Sequence, residues 1–134
     1  MSLGKTEANS IESEPAHPSV ECLALNLYHE ARGGGTAGLF AVSAVVFNRV
    51  NDSRFPNTVC EVVKQGPSDT PHNEKKYKEI LDLSEAILYN EVSFVDITDG
   101  ALFYHADYVN PSWAKTKQRT TEIDDHIFYR WDTK

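Results

Sequence analysis

No apolar run in this 134-residue chain approaches the roughly 20 residues that span a bilayer, so membrane insertion is not expected. Basic residues are in deficit: 13 Lys+Arg against 20 Asp+Glu leave a formal net charge of −7. That balance argues against a basic surface for nucleic acid or for an anionic membrane. The chain has no Walker loop, no GxGxxG, no GxSxG and no HExxH, which removes the usual signatures of nucleotide, serine-hydrolase and zinc-protease chemistry. Gly33-Gly34-Gly35 precedes a helix start but lacks the lysine and the leading strand of a phosphate loop. Cysteine is scarce. Cys22 and Cys60 each sit among apolar residues, so two buried thiols are expected, with a disulfide as the alternative. The opening stretch 1–18, MSLGKTEANSIESEPAHP, has no apolar segment of the kind a secretory signal needs, and disorder is expected there.

What remains is enough for one domain. About 40% of the residues are apolar, and a chain of this length closes around a single core, here 19–134. A helix is expected over 20–32, with Ser19 as N-cap, Glu21 in the first turn and Gly33 as the stop. Val20, Leu23, Leu27 and Ala31 form its apolar stripe, while Cys22, Asn26 and Glu30 fall on another at i, i+4 and i+8. A second helix, capped by Thr36 and reaching about Val50, is apolar nearly all round and therefore belongs at the centre of the fold. Its end, Asn48-Arg49, brings polar groups to the margin of that core. Thr58-Val59-Cys60-Glu61 has capping-box spacing and opens a short helix over 59–65. A fourth helix over 74–89 turns Tyr77, Ile80, Leu81, Ser84, Ile87 and Leu88 inward. After Asn90 the pattern changes to strands: 101–105, then 120–123 and 126–129 around a two-residue turn at Asp124-Asp125. The class is α+β, about four helices followed by a small antiparallel β-sheet.

Glu30 is the residue with most chemical promise. It lies in the last turn of its helix, where the negative end of the macrodipole disfavours an ionised carboxylate, the condition a general acid needs at neutral pH. The residues alone leave it between that role and an ordinary paired glutamate, since Arg32 and Arg49 are both able to neutralise it. His29, Glu30, His105 and His126 invite a zinc reading. Neighbours on a helix point about 100° apart, however, and no second ligand lies at i+3 or i+4 from His29, so neither a metal nor another cofactor is expected. Phe103, Tyr104, Tyr108 and Trp113, with Asn110, have the composition of a wall that packs on sugar rings. Strand alternation sends Phe103 and His105 to one face and Leu102 and Tyr104 to the other, so one of the two sets must be core.

Taken in order, three stretches resemble one family. Cys22-Leu23-Ala24-Leu25-Asn26-Leu27-Tyr28-His29-Glu30-Ala31-Arg32-Gly33 is similar to the opening of the SleB/CwlJ-type cell wall hydrolases, which include the spore-cortex-lytic enzymes. Val45-Val46-Phe47-Asn48-Arg49-Val50 and Arg54-Phe55-Pro56-Asn57-Thr58-Val59-Cys60 continue the match. Gly100-Ala101-Leu102-Phe103-Tyr104-His105-Ala106, Val109-Asn110-Pro111-Ser112-Trp113 and His126-Ile127-Phe128-Tyr129-Arg130 complete it, in a version like those of phages and Gram-negative bacteria. The resemblance implies a lysozyme-like helical core and a catalytic domain over 19–134 that cuts peptidoglycan between N-acetylmuramic acid and N-acetylglucosamine. It implies Glu30 as general acid of a lytic transglycosylase. Asn26, Gln65, Tyr104, His105, Asn110 and Trp113 are the candidate substrate-binding residues of that reading. A transglycosylase draws its nucleophile from the substrate, so one carboxyl group suffices; a hydrolase needs a second, for which Asp107 and Asp125 are available. The expected partner is the peptidoglycan glycan strand, met by a monomer at the cell wall or in the periplasm. A catalytically silent peptidoglycan-binding module on the same scaffold is the alternative. The chain departs from the family pattern at Gly34, where an acidic residue is usual, and at Leu39, where a glutamine follows the helix-opening glycine. The segment at Gln65-Gly66-Pro67 is also short against the family's.

Overall fold

The computed structural model describes residues 18–31, 35–64, 71–89 and 93–132. The disorder expected before Pro18 and the candidate Gln65 therefore lie outside the described residues. Four helices come first: α1 Pro18–Ala31, α2 Thr36–Val50, α3 Val59–Val63 and α4 Glu74–Leu88. Strand β1 Phe103–Ala106, a 3-10 helix Ser112–Thr116, and strands β2 Lys117–Ile123 and β3 His126–Trp131 follow. The strands form one antiparallel sheet in the order β1-β3-β2. This is the α+β order read from the sequence.

The termini of the helices correct several local expectations. Helix α1 begins at Pro18, so Ser19 lies within its first turn and not at the N-cap; proline's fixed φ suits that turn. Helix α2 is preceded by Gly35, not capped by Thr36, and the Gly35 N–H donates to Asp124 Oδ2 at 3.2 Å. The acidic group that favours a helix N-terminus thus arrives from the β2–β3 turn, 89 residues away in sequence. Asp124 takes a left-handed φ of 53° to make that two-residue turn. Gly38, one turn into α2, leaves room for it: a Cβ there would stand 2.6 Å from Asp124 Oδ2. The Thr58 cap of α3 forms as its spacing predicts, accepting from the Glu61 N–H at 3.2 Å, although the helix ends at Val63. Asn73 caps α4 by accepting from the Lys76 N–H at 2.9 Å.

Helix α2 is the central pillar its composition calls for. Gly38, Leu39 and residues 41–46 are buried, and the Ser43 hydroxyl is satisfied by the Leu39 carbonyl at 2.8 Å. One side of α2, Leu39, Val42 and Val46, packs with Leu23, Leu27 and Tyr28 of α1, Val59 and Val62 of α3 and Ile80 of α4. Its other side, Ala41 and Val45, packs on Ala101 and Phe128 beneath the sheet. Leu39 is thus a core residue, which gives its apolar side chain a packing reason at this departure from the family pattern.

The cysteines also correct the sequence reading. Cys22 and Cys60 form a disulfide that joins α1 to α3 across 38 residues, with Cα atoms 5.2 Å apart. Two cysteines with apolar neighbours fit a buried thiol pair and a disulfide equally well, and only their juxtaposition by the fold separates the two.

Candidate active site

Glu30 projects from the last turn of α1 into a cleft of about 220 Å³. Its described lining is Asn26 and Glu30 of α1, Val45, Val46 and Arg49 of α2, Val62 and Val63 of α3, and Tyr104 of β1. The stripe read on α1 therefore has a physical meaning. Cys22 fastens that face of α1 to α3, Asn26 is buried in the wall, and Glu30 reaches the opening. Among the described lining residues Glu30 is the one carboxylate and Arg49 the one cation.

Tyr104 is a direct partner of the Glu30 carboxyl group. Its hydroxyl donates to Glu30 Oε1 at 3.1 Å, across 74 residues of sequence. Burial, then the Glu30 carboxylate and the hydrogen bond to it, hold the Tyr104 phenol well above its ordinary value, with Arg49 opposing. Tyr104 consequently remains a hydrogen-bond donor throughout the physiological range.

Two neighbouring side chains at the end of α2 deliver Tyr104 to that position. Asn48 Nδ2 donates to the Ala101 carbonyl at 2.9 Å, and Arg49 Nε donates to the Leu102 carbonyl at 2.7 Å. Asn48 Nδ2 also donates to Asp96 Oδ2 at 3.0 Å. Asp96 accepts in addition from the Thr98 N–H at 2.8 Å, the Thr98 hydroxyl at 2.6 Å and the Gly100 N–H at 3.0 Å. Burial works against the Asp96 carboxylate, but these hydrogen bonds outweigh it and lower its pKa below the ordinary value. The turn is completed by left-handed φ values of 58° at Asp99 and 77° at Gly100, the latter natural only for glycine. Asn48-Arg49 was legible as a polar interruption at the core margin; Asp96, in an exposed loop, carried no signal in the sequence.

The remaining sequence candidates go elsewhere. Tyr104 and Phe128 are cross-strand partners on the face toward α2, as are Phe103 and Tyr129 on the opposite face. His105 follows Phe103 outward, where its Nε2 meets the Tyr129 hydroxyl at 2.8 Å and its Nδ1 meets the Ala106 carbonyl at 2.7 Å. Trp113 packs there edge-on against His105 and Tyr129, and Asn110 sits exposed in the loop after β1. The pleat thus divides the aromatic run: Tyr104 reaches Glu30, and His105 and Trp113 do not. Asp107, just after β1, and Asp125, in the β2–β3 turn, the two carboxylates a hydrolase was expected to draw on, are exposed and outside the described cleft lining. Arg32, the other cation expected near Glu30, lies outside the described residues, as does Gly34.

A family profile described as Cell Wall Hydrolase matches residues 33–129. The spore cortex-lytic enzyme of Bacillus cereus is 32% identical over 119 residues, covering 81% of this chain and 43% of its own length. That of Oceanobacillus iheyensis is 28% identical over 127 residues, covering 93% of this chain and 46% of its own length. The chain therefore spans less than half the length of these relatives. Among solved structures, the catalytic domain of the germination-specific lytic transglycosylase SleB from Bacillus anthracis aligns with a TM-score of 0.63 at 26% identity, over 87% of this chain and 97% of that one. The catalytic domain of Bacillus cereus SleB gives 0.60 at 31% identity, over 84% and 89%. The part of the relatives that this chain matches is thus their catalytic domain, with its lysozyme-like α+β architecture. From the profile across α2 to β3 and the shared helices and sheet, the chain belongs to the cell wall hydrolase family.

Proposed function

We propose that this protein is a lytic transglycosylase that cuts peptidoglycan glycan strands at the bond between N-acetylmuramic acid and N-acetylglucosamine, with Glu30 as the sole acid and base. The observation that carries this reading is the solitary carboxyl group of the cleft, hydrogen-bonded to Tyr104, with no second carboxylate among the described lining residues. A glycosidase that uses water or an enzyme nucleophile requires a pair of carboxyl groups about 5–9.5 Å apart.

One acid is sufficient when the substrate attacks itself. Glu30 gives its proton to the glycosidic oxygen as the C1–O bond breaks, and the alcohol of the departing sugar takes that proton away. The muramoyl 6-hydroxyl then bonds to C1 of its own ring and returns its proton to Glu30. The enzyme is restored, no water is consumed, and the product ends in a 1,6-anhydro ring. Attack from within one bound ring profits from high effective molarity, so the cleft has mainly to hold the ring and the acid in place. Asn26, buried one turn below Glu30, supplies an amide within the same cleft for a sugar hydroxyl or acetamido group. Tyr104 orients the carboxyl group. All of these groups come from a single chain, so a monomer suffices at the bacterial cell wall.

Mass spectrometry of the soluble products from purified peptidoglycan tests the reading, with native protein and Glu30→Gln compared. Anhydromuramic ends, one water lighter than hydrolysed ends, are expected with native protein alone. Reducing muramic ends would make it a hydrolase and require another carboxylate. Binding of peptidoglycan with no products would make it the silent binding module.

A further inference from the structure

Arg49 is the other charged group among the described lining residues of the cleft. Its Nε donates to the Leu102 carbonyl at 2.7 Å, two residues before Tyr104. Its guanidinium lies 5.0 Å from the Phe55 ring centroid and 5.8 Å from that of Phe103. A planar cation held by one hydrogen bond and two aromatic rings has little freedom to turn. No direct ion pair with Glu30 is found among the described residues; Tyr104 makes the contact instead. Burial lowers the pKa of Arg49 from its ordinary value, while attraction to Tyr104 and Glu30 opposes this, as expected of a charge whose interaction with them is poorly screened.

This arrangement suits an acid that must both hold and lose a proton. An arginine in contact with Glu30 would favour the ionised form throughout. A fixed cation further off stabilises the carboxylate that appears once the proton has gone. We propose that Arg49 is the positioning residue of the cleft: clamped by Leu102, Phe55 and Phe103, it holds Tyr104 at Glu30 and presents a fixed positive charge to the carboxylate formed in the reaction. The proposal rests on the reading of Glu30 as the acid. Among the described residues, the groups that bear on the pair are Tyr104 from β1 and His126 from β3, edge-on to Tyr104 at 5.3 Å; α3 offers Val62 and Val63 to the cleft.

The test is the pH dependence of the initial rate on limiting peptidoglycan for native protein, Arg49→Gln, Arg49→Lys and Glu30→Gln, with thermal unfolding of each. The active form of Glu30 carries its proton, so activity falls as pH rises and the proton leaves. Without the positive charge the proton is retained to higher pH. Arg49→Gln is expected to move the alkaline limb upward by about one pH unit and to lower the optimum rate about tenfold. Arg49→Lys keeps the charge and is expected to leave the limb in place, with a loss of about threefold from the poorer hold on Leu102. A limb that stays put in Arg49→Gln, with activity falling uniformly over pH, overturns the proposal and leaves the acid reading intact. A native rate in Glu30→Gln overturns the acid reading itself. Should Arg49→Gln not fold, Arg49→Lys decides: a lower rate with the native limb supports the proposal, and an unchanged rate or a displaced limb overturns it.

Discussion

The two faces of the small sheet are built from the same kinds of residue and end in different roles. On the inner face, Tyr104 and Phe128 lie across from each other, with Phe128 packed on Ala41 and Val45 of α2; the cover is a helix. On the outer face, Phe103 is edge-on to Trp131 at 4.9 Å and tilted against Trp113 at 5.9 Å, and Tyr129 is stacked on His105 at 5.3 Å. Side chains cover that face: Arg54 lies 4.4 Å from the Trp131 ring centroid, and Lys117 lies 5.0 Å from Trp131 and 5.1 Å from Phe103. The Tyr104 hydroxyl, on the side covered by α2, donates to Glu30. The outer aromatics engage one another and the cations. Consecutive residues of a Phe-Tyr-His run thus become a packing group, a partner of Glu30, and a packing group again, once α2 fixes which face is inward.

The largest difference expected between the faces is in stability. Phe128 is fully buried, and Phe128→Ala should cost about 3–5 kcal/mol. Phe103, half-buried under side chains able to close over a gap, should cost about half as much when replaced by alanine. Urea unfolding of both variants measures this, and equal losses would make the outer layer a core in its own right. The next effect lies on the helical wall of the cleft. Reducing the Cys22–Cys60 bridge, which closes a loop of 38 residues, should lower stability by about 2–4 kcal/mol. That loss should add to the loss from Phe128→Ala, because the bridge joins α1 to α3 and the ring lies under the sheet. Strong non-additivity would mean that the bridge and the ring are energetically coupled through the helices between them.

How much of this was legible in the sequence follows from the range of the interactions involved. Helix α2 could be read from a run with almost no polar face, and α4 from its inward stripe, because each is a local pattern. The Asp124-Asp125 turn and the alternation of Phe103, Tyr104 and His105 were legible for the same reason. The alternation left open which set faced the core, and α2 decides that. Glu30 could be singled out by its place at a helix end, and its partner could not: Tyr104 lies 74 residues away, Asn48 and Arg49 act on the backbone of another segment, and Asp96 meets Asn48 across 48 residues. Asp124 at the start of α2 is a contact of the same long-range kind, and Gly38 is its mark in the sequence. The disulfide escaped because apolar neighbours surround bridged and free cysteines alike.

Activity should separate the faces in the same direction, by a smaller margin. Tyr104→Phe removes one hydroxyl, the donor to Glu30, and keeps the ring packed near Phe128 at 5.7 Å. Loss of a hydrogen bond to a charged group should reduce turnover by about 10- to 100-fold with little change in thermal unfolding. Trp113→Phe on the outer face should leave turnover within about threefold of native, as expected for a site away from the chemistry. Initial rates on purified peptidoglycan measure both, and a loss at Trp113 as large as that at Tyr104 would place the glycan on the outer face as well.

The smallest effect concerns acid. The outer layer is fastened by Arg54, which donates from its Nε and Nη2 to the Asp52 carboxylate at 2.9 and 2.7 Å while lying over Trp131. The Arg54 side-chain hydrogen bonds, followed by that from its backbone N–H, lower Asp52 from an ordinary 3.8 to about 2. A carboxylate depressed in the folded state adds stability that is fully present above its unfolded value and is lost as pH falls through the folded one. The Asp52 contribution should therefore be intact above about pH 4 and decline toward pH 2. The buried ring of Phe128 has no proton to exchange and fastens the inner face at any pH. Asp52→Asn should accordingly flatten the acid limb of the stability curve slightly without altering stability differences among inner-face variants. Asp52 is 14% exposed and Arg54 is 57% exposed, so added salt should weaken the same contribution by screening. Thermal unfolding of native protein and Asp52→Asn between pH 2 and 5, at low and high salt, reads both effects. An acid limb unchanged by Asp52→Asn would mean that the outer aromatics hold together without the Asp52–Arg54 clasp, as the inner face does without charge.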